Sequence, residues 1–198
     1  MKNYLLSHGF GFTNEYWKNI TTMLNGNIYF LDDKNLDRSK LYIGIGHSIG
    51  FLKLNNSNLN FEYLVCLQGF LDFCGKTERM KAIRKQGLEK VAMEIKSDKS
   101  GNLAKFRLAC GYDQVINEDL PLSDLLEDLN MMGKAYDHCG VRTLIIGSVE
   151  DMIVPMSIIE DNFKDIHNIS IIKTTDIGHS LGYNKTNLVL EKMNEFNI

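Results

Sequence analysis

Apolar and polar residues fall into short blocks along the chain. Tyr4-Leu5-Leu6 ends at Ser7-His8-Gly9 and predicts a buried strand. Thr13 is placed to cap a helix over residues 14–24, with Tyr16, Trp17, Ile20, Met23 and Leu24 on one face, and Asn25-Gly26-Asn27 stops it. Ile28-Tyr29-Phe30-Leu31 predicts a second strand. Residues 41–46 predict a third, residues 48–54 a helix, and Tyr63-Leu64-Val65-Cys66-Leu67 a fourth strand. Residues 70–138 then change character: charged, helical in pattern and without strand runs. Strands resume at Thr143-Leu144-Ile145-Ile146 and Ile169-Ser170-Ile171-Ile172, with helices at 156–165 and 184–196.

Apolar strands alternating with helices predict an α/β protein with a mostly parallel sheet covered on both faces. The block at 70–138 interrupts the alternation. It reads as a helical cap inserted between strands and seated over one end of the sheet, with residues 1–69 and 139–198 as the core. About eight residues, 33–40, join the second and third strands, too few for a crossover helix. Fully extended they reach roughly 26 Å, enough to return along the sheet.

Sites in such sheets form at the carboxyl ends of strands. The third strand ends in Gly46-His47-Ser48-Ile49-Gly50, the pattern G-x-S-x-G. That pattern fits a nucleophile elbow, a phosphate-binding glycine loop or a plain Gly-rich turn. The phosphate reading needs a following Gly-Lys-Ser/Thr or an acidic ribose ligand, and neither is evident. Three other strand ends support the elbow. The first carries His8-Gly9-Phe10-Gly11, the fifth Gly147-Ser148-Val149-Glu150-Asp151, and the sixth Asp176-Ile177-Gly178-His179. Nucleophile, acid and histidine then follow in the order Ser48, Asp151, His179, as in α/β-hydrolases.

A serine hydroxyl needs a base within hydrogen-bond reach. His179 would take its proton, and Asp151 would fix the imidazole tautomer. The backbone N–H groups of Ile49 and Phe10 would form an oxyanion hole, with Gly9 and Gly11 letting the backbone approach the substrate. Glu150 stays open as the acid: counting from Gly147 favours it, while counting back from Val154-Pro155 favours Asp151. His8 reads as ordering its glycine loop and His47 as the variable position of the elbow. His138 and His167 have no motif context and read as surface residues.

Length and composition add limits. The 198 residues fit one domain with a substantial core. Net charge is −3 with a pI near 6.0, which gives no global signal for nucleic acid. No apolar run approaches the roughly 20 residues of a membrane span, and MKNYLLSHGF has no signal-peptide h-region, so a cytoplasmic protein is expected. Cys66, Cys74, Cys110 and Cys139 form no C-x-x-C pair or zinc cluster, so free buried or partly buried thiols and no metal are expected. No cofactor motif is apparent. Charge is uneven. Residues 76–107 hold ten basic and four acidic side chains, +6 against −9 for the rest. Met80, Ile83, Val91 and Ile95 would be the buried side of that helical run. The basic run fits either a solvated helix face or a surface that steers an acidic partner.

His8-Gly9-Phe10-Gly11-Phe12-Thr13-Asn14-Glu15-Tyr16-Trp17 resembles the HGWG…W segment of the pimeloyl-[acyl-carrier protein] methyl ester esterases of biotin synthesis, with Phe10 where a tryptophan is usual. Asp151-Met152-Ile153-Val154-Pro155 and Gly178-His179 match the same α/β-hydrolases. The resemblance implies hydrolysis of a methyl ester on an acyl chain carried by acyl carrier protein, a small acidic partner. Arg79, Arg84 and Lys85 would then be docking residues. A general short-chain carboxylesterase or thioesterase with the same triad, and an inactive hydrolase fold that only binds, stay open beside it.

Overall fold

A computed structural model describes residues 1–116, 119–175 and 178–198. Asp176, read above as part of the turn that leads to His179, lies outside the described residues. The strands are β1 (Lys2–Ser7), β2 (Gly26–Phe30), β3 (Leu41–His47), β4 (Asn60–Leu67), β5 (Thr143–Ser148) and β6 (Ile169–Thr174). The helices are α1 (Lys18–Thr21), α2 (Ile49–Asn55), α3 (Glu78–Ser97), α4 (Lys99–Ala109), α5 (Leu122–Met132), α6 (Met156–Phe163), α7 (Leu181–Asn184) and α8 (Thr186–Glu195). The single helix expected over 14–24 is instead a 3-10 turn, Asn14–Trp17, running into the short α1. Thr13 caps it by accepting from the Glu15 N–H.

The six strands form one sheet in the order β2-β1-β3-β4-β5-β6, with every neighbouring pair parallel. Successive side chains of a strand face opposite sides. Leu5, Tyr42, Leu64, Cys66 and Ile145 therefore share one face with α2 and α6, while Leu6, Ile43, Ile45, Val65 and Ile146 share the other with Trp17 and α8. The chain leaves β1 toward β2 on one side and returns to β3 on the other. The order reverses between β1 and β3, and sites in open α/β sheets form at the carboxyl ends of strands beside such a reversal.

The link from β2 to β3, residues 31–40, contains no helix, as its shortness predicts. Leu31 and Leu36 pack onto the sheet face that a crossover helix would otherwise cover, beside Tyr29 and Tyr42, whose rings meet edge to face at 5.6 Å.

Between β4 and β5 the chain forms α3, α4 and α5. Two apolar positions expected to be buried on α3 are not: Met80 and Ile83 are exposed, Val91 is half-buried and Ile95 is buried. The reason is geometric. Only the C-terminal half of α3, through Leu88, Val91, Ala92 and Ile95, packs against the core, and the first half extends past it. Cys66, Cys74 and Cys110 are buried and Cys139 is exposed, all as free thiols. Among the described residues no helix is long and apolar enough to cross a membrane.

Trp17, fully buried against β1 and α7, anchors the second face. Trp17→Ala is expected to lower unfolding free energy by about 3–5 kcal/mol through lost burial and a cavity. Met93→Ala, on the exposed face of α3, should stay within about 0.5 kcal/mol. Urea unfolding followed by far-UV circular dichroism compares the two.

Candidate active site

Ser48 stands where β3 becomes α2, with φ 55° and ψ −126°. A non-glycine residue with positive φ carries backbone strain of about 1–3 kcal/mol, and such strain collects at functional sites. The glycines explain how the turn is possible. A Cβ on Gly46 would lie 2.4 Å from the Phe51 Cα, and one on Gly50 would lie 2.1 Å from the Ser7 carbonyl oxygen. Side chains are excluded because β3, α2 and β1 touch backbone to backbone. The Ser48 N–H donates to the Leu67 carbonyl at 2.9 Å, which ties the turn to β4. Ile49 opens α2, so its N–H has no acceptor within the helix.

The glycine loop after β1 lies over this turn. A Cβ on Gly9 would come within 3.2 Å of the Ser48 Cβ, so Gly9 passes directly beside the serine. The Phe12 N–H donates to the Gly9 carbonyl at 3.3 Å and closes the loop. Helix α4 holds it from the other side. The Phe106 ring meets Phe10 edge to face at 5.4 Å, and Arg107 Nε donates to the Gly11 carbonyl at 2.6 Å. Phe10 is thus buried under the cap helices. His8 Nδ1 contacts the Gly9 carbonyl at 2.9 Å, in line with a role in ordering the loop.

His179 and Asp151 meet in the interior. His179 Nδ1 is 2.7 Å from Asp151 Oδ2, with side chains only 2% and 0% exposed. An ionised carboxylate only accepts, so Nδ1 carries the proton and Nε2 presents a lone pair. The other Asp151 oxygen accepts from the N–H groups of Ile153 and Val154, both at 2.9 Å. Glu150 is exposed, and its Oε2 accepts from Ser148 Oγ at 3.1 Å. Of the two adjacent acids, Asp151 is the one brought to His179. His167 is exposed as expected, whereas His138 is half-buried and contacts Thr143 Oγ1 at 2.9 Å.

Sequence reasoning missed two members of this site. Gln68 follows β4 with φ 53°. Its Nε2 donates to Asp151 Oδ2 at 2.9 Å and to the Gly178 carbonyl at 2.5 Å, and its Oε1 accepts from the Leu181 N–H at 2.9 Å. One buried amide thereby fixes both the carboxylate and the chain on each side of His179. The available signal was a polar residue closing an apolar strand run. The second is His47, read as a variable position. Its Nε2 donates to the His179 carbonyl at 2.8 Å, and its ring stacks on Tyr16 at 4.4 Å. Burial, and then the charge of His179, hold the His47 ring well below the ordinary histidine pKa.

Among the described residues no three His, Cys, Asp or Glu side chains converge to hold a metal ion.

The six-stranded parallel sheet, the helices α3 to α5 between β4 and β5 and the tight turn at Ser48 are those of the α/β-hydrolase fold. No family model and no curated protein matches the sequence. Solved structures match by shape. A thermophilic esterase from Thermogutta terrifontis superposes with a TM-score of 0.73 at 14% identity, covering 99% of this chain and 89% of that one. An epoxide hydrolase from Bacillus megaterium gives 0.68 at 13%, over 99% and 93%. An esterase from Exiguobacterium antarcticum gives 0.67 at 12%, over 99% and 91%.

The neutral His47 generates a pH dependence. Its folded pKa lies below its unfolded value, so the unfolded chain binds the extra proton as pH falls. The stabilisation is complete above the ordinary histidine value of about 6.5 and is lost below it, by up to about 1.4 kcal/mol per pH unit. Urea unfolding between pH 8 and 5 should show this slope, and His47→Gln should flatten it. His8, also held low by burial, adds a contribution of the same sign that both proteins keep.

Proposed function

We propose that the chain is a serine carboxylesterase in which Ser48 is the nucleophile, His179 the general base and Asp151 the acid. The observation that carries this reading is the buried Asp151–His179 hydrogen bond at the same sheet end as the positive-φ Ser48. Ser48 Oγ attacks the ester carbonyl carbon while His179 Nε2 takes its proton. The N–H groups of Ile49 and Phe10 hold the developing oxyanion. Collapse breaks the ester bond, and His179 returns the proton to the departing alcohol oxygen. Water then attacks the acyl-serine with His179 again as base, releasing the acid and restoring Ser48. Asp151 stays ionised and stabilises the imidazolium. His47 remains neutral throughout, so it does not compete for the proton.

Ser48→Ala and His179→Ala should each abolish hydrolysis of p-nitrophenyl acetate while the circular dichroism spectrum is unchanged. A fluorophosphonate should label Ser48 alone. Asp151→Asn should lower kcat on the order of 10⁴-fold and Glu150→Gln should leave it nearly unchanged. Full activity in Ser48→Ala rejects the reading, and the reverse ranking of the acids moves the role to Glu150.

The narrower reading is a methyl esterase acting on pimeloyl-acyl carrier protein. It is favoured by the first half of α3, where Arg79 and Lys85 are exposed beside the exposed apolar side chains of Met80 and Ile83. Such a mixed surface suits an acidic protein partner. Arg84 is engaged within the chain, where its Nη1 donates to the Phe73 carbonyl at 2.6 Å. The double reversal Arg79→Glu, Lys85→Glu should therefore raise KM for carrier-bound ester severalfold and leave p-nitrophenyl acetate turnover unchanged. Added salt should weaken the carrier reaction alone, since exposed charges are screened over about 8–10 Å near physiological ionic strength. Equal responses of both substrates leave the general esterase.

A further inference from the structure

Leu67 closes β4, and it touches both halves of the site together with the two residues that follow. The Leu67 carbonyl accepts from the Ser48 N–H at 2.9 Å, and a Cβ on Gly69 would lie 3.0 Å from the Ser48 carbonyl oxygen. Between them the chain turns at Gln68 with φ 53°, while the Gln68 N–H still donates to the Ile146 carbonyl of β5 at 2.9 Å. The Gln68 side chain is fully buried and reaches the other half. Its Oε1 accepts from the Leu181 N–H at 2.9 Å. A backbone N–H only donates, so the atom facing it is the oxygen, and the amide nitrogen must face the other way. There it meets two acceptors, Asp151 Oδ2 at 2.9 Å and the Gly178 carbonyl at 2.5 Å. Asp151 Oδ2 is also the oxygen that lies 2.7 Å from His179 Nδ1. One turn thus links the backbone of Ser48 to Asp151 and to both flanks of His179.

We propose that Gln68 is a positioning residue of the ester hydrolysis, an inference that rests on the serine-esterase reading. One turn then fixes the nucleophile's backbone and the surroundings of the imidazole together, so their separation is set from one place. The reaction requires this. His179 takes a proton from Ser48 Oγ, returns it to the departing alcohol oxygen and takes another from water, so the imidazole must keep one place while its charge changes. Each new charge pulls it toward Asp151. The carboxylate holds still because Oδ1 accepts from the Ile153 and Val154 N–H groups and Oδ2 from the Gln68 amide. The amide is neutral, so it adds no charge beside the imidazolium. Glutamine suits both sides of the position. A glutamate would set an anionic oxygen against Asp151 Oδ2 and the Gly178 carbonyl, and an apolar side chain would leave the Leu181 N–H without its acceptor.

Two variants of the full chain test this with p-nitrophenyl acetate. Gln68→Met removes the amide and keeps the length of the side chain. It should lower kcat about 10²-fold, the scale of a small misplacement of a catalytic group, and leave KM within about twofold. Gln68→Glu tests the donor. Its carboxyl can replace the amide only when protonated, with its hydroxyl donating to Asp151 Oδ2. Burial and the Asp151 carboxylate hold that carboxyl above the ordinary value of about 4.3. The kcat of Gln68→Glu relative to the unsubstituted chain should therefore fall as pH rises, whereas the Gln68→Met ratio should stay flat. Burial pushes Tyr16 and Cys110 up and His47 down, so these neighbours of Asp151 and His179 stay neutral over that range. Proton NMR adds a readout without turnover: the His179 Nδ1–H facing Asp151 should give a downfield resonance that Gln68→Met loses. Circular dichroism checks folding, and if Gln68→Met does not fold, Gln68→Glu across pH decides. The proposal is overturned if Gln68→Met keeps the full kcat and the resonance, or if the two ratios depend on pH alike. Absence of turnover and of Ser48 labelling in the unsubstituted chain instead rejects the esterase reading, and the resonance still decides whether Gln68 fixes His179.

Discussion

Gly50 passes so close to β1 that a methyl group on it would sit 2.1 Å from the Ser7 carbonyl oxygen. That approach lets α2 begin directly against β1 and β3, and it forces the tight reversal at Ser48. The rest of the site is arranged around this contact. With β1 pressed against the start of α2, the residues that follow β1 cross beside Ser48. Gly9 therefore lies beside the serine, and a side chain there would strike His47 and Ser48. The strain at Ser48 persists because three backbones over-determine the turn.

A second constraint is polar. Asp151 lies in the interior with four N–H groups aimed at it: two from the Ile153–Val154 backbone, one from Gln68 and one from His179. A buried carboxylate needs such partners. The set fixes the rotamer of Asp151, the rotamer fixes Nδ1 of His179, and the tautomer leaves Nε2 able to accept a proton. Gln68 and His47 hold the backbone on either side of the same histidine, through the Gly178 and His179 carbonyls and the Leu181 N–H. The described residues around His179, from Gly178 to Leu181, are thus tied down by side chains from β3 and from the residue that follows β4.

This separates what could be read in the sequence from what could not. The six strands were legible because both faces of a parallel sheet are buried and their residues read as apolar runs. Ser48, Asp151 and His179, the triad of the proposed reading, could be singled out because each follows such a run. Gln68 was not, since one glutamine after a strand has no motif and its value lies in a positive φ that only the fold reveals. His47 was passed over because the turn pattern leaves its position unspecified, and its partner is a carbonyl 132 residues away. On α3, Met80 and Ile83 have the spacing of a buried stripe, yet the helix outruns the core that would cover them. Periodicity reports which residues share a face; it does not report whether anything packs there.

Helix α4 belongs to the site as much as to the cap. Its Leu103 stands 3.0 Å from where a Cβ on Gly11 would be, its Phe106 meets Phe10, and its Arg107 takes the Gly11 carbonyl. Gly11 has φ +73°, so the loop turns back on itself at that point and brings its carbonyl to α4. The N–H of Phe10 belongs to the residue just before this turn. The loop that carries it is held on one side by the approach of Gly9 to Ser48 and on the other by α4. On the proposed reading, in which that N–H holds the oxyanion, a shift of α4 would carry the glycine loop with it and displace a donor that is useful only within a few tenths of an ångström of its target. On that same reading, changes in α4 would alter the chemical step itself, because α4 holds the loop that carries the donor.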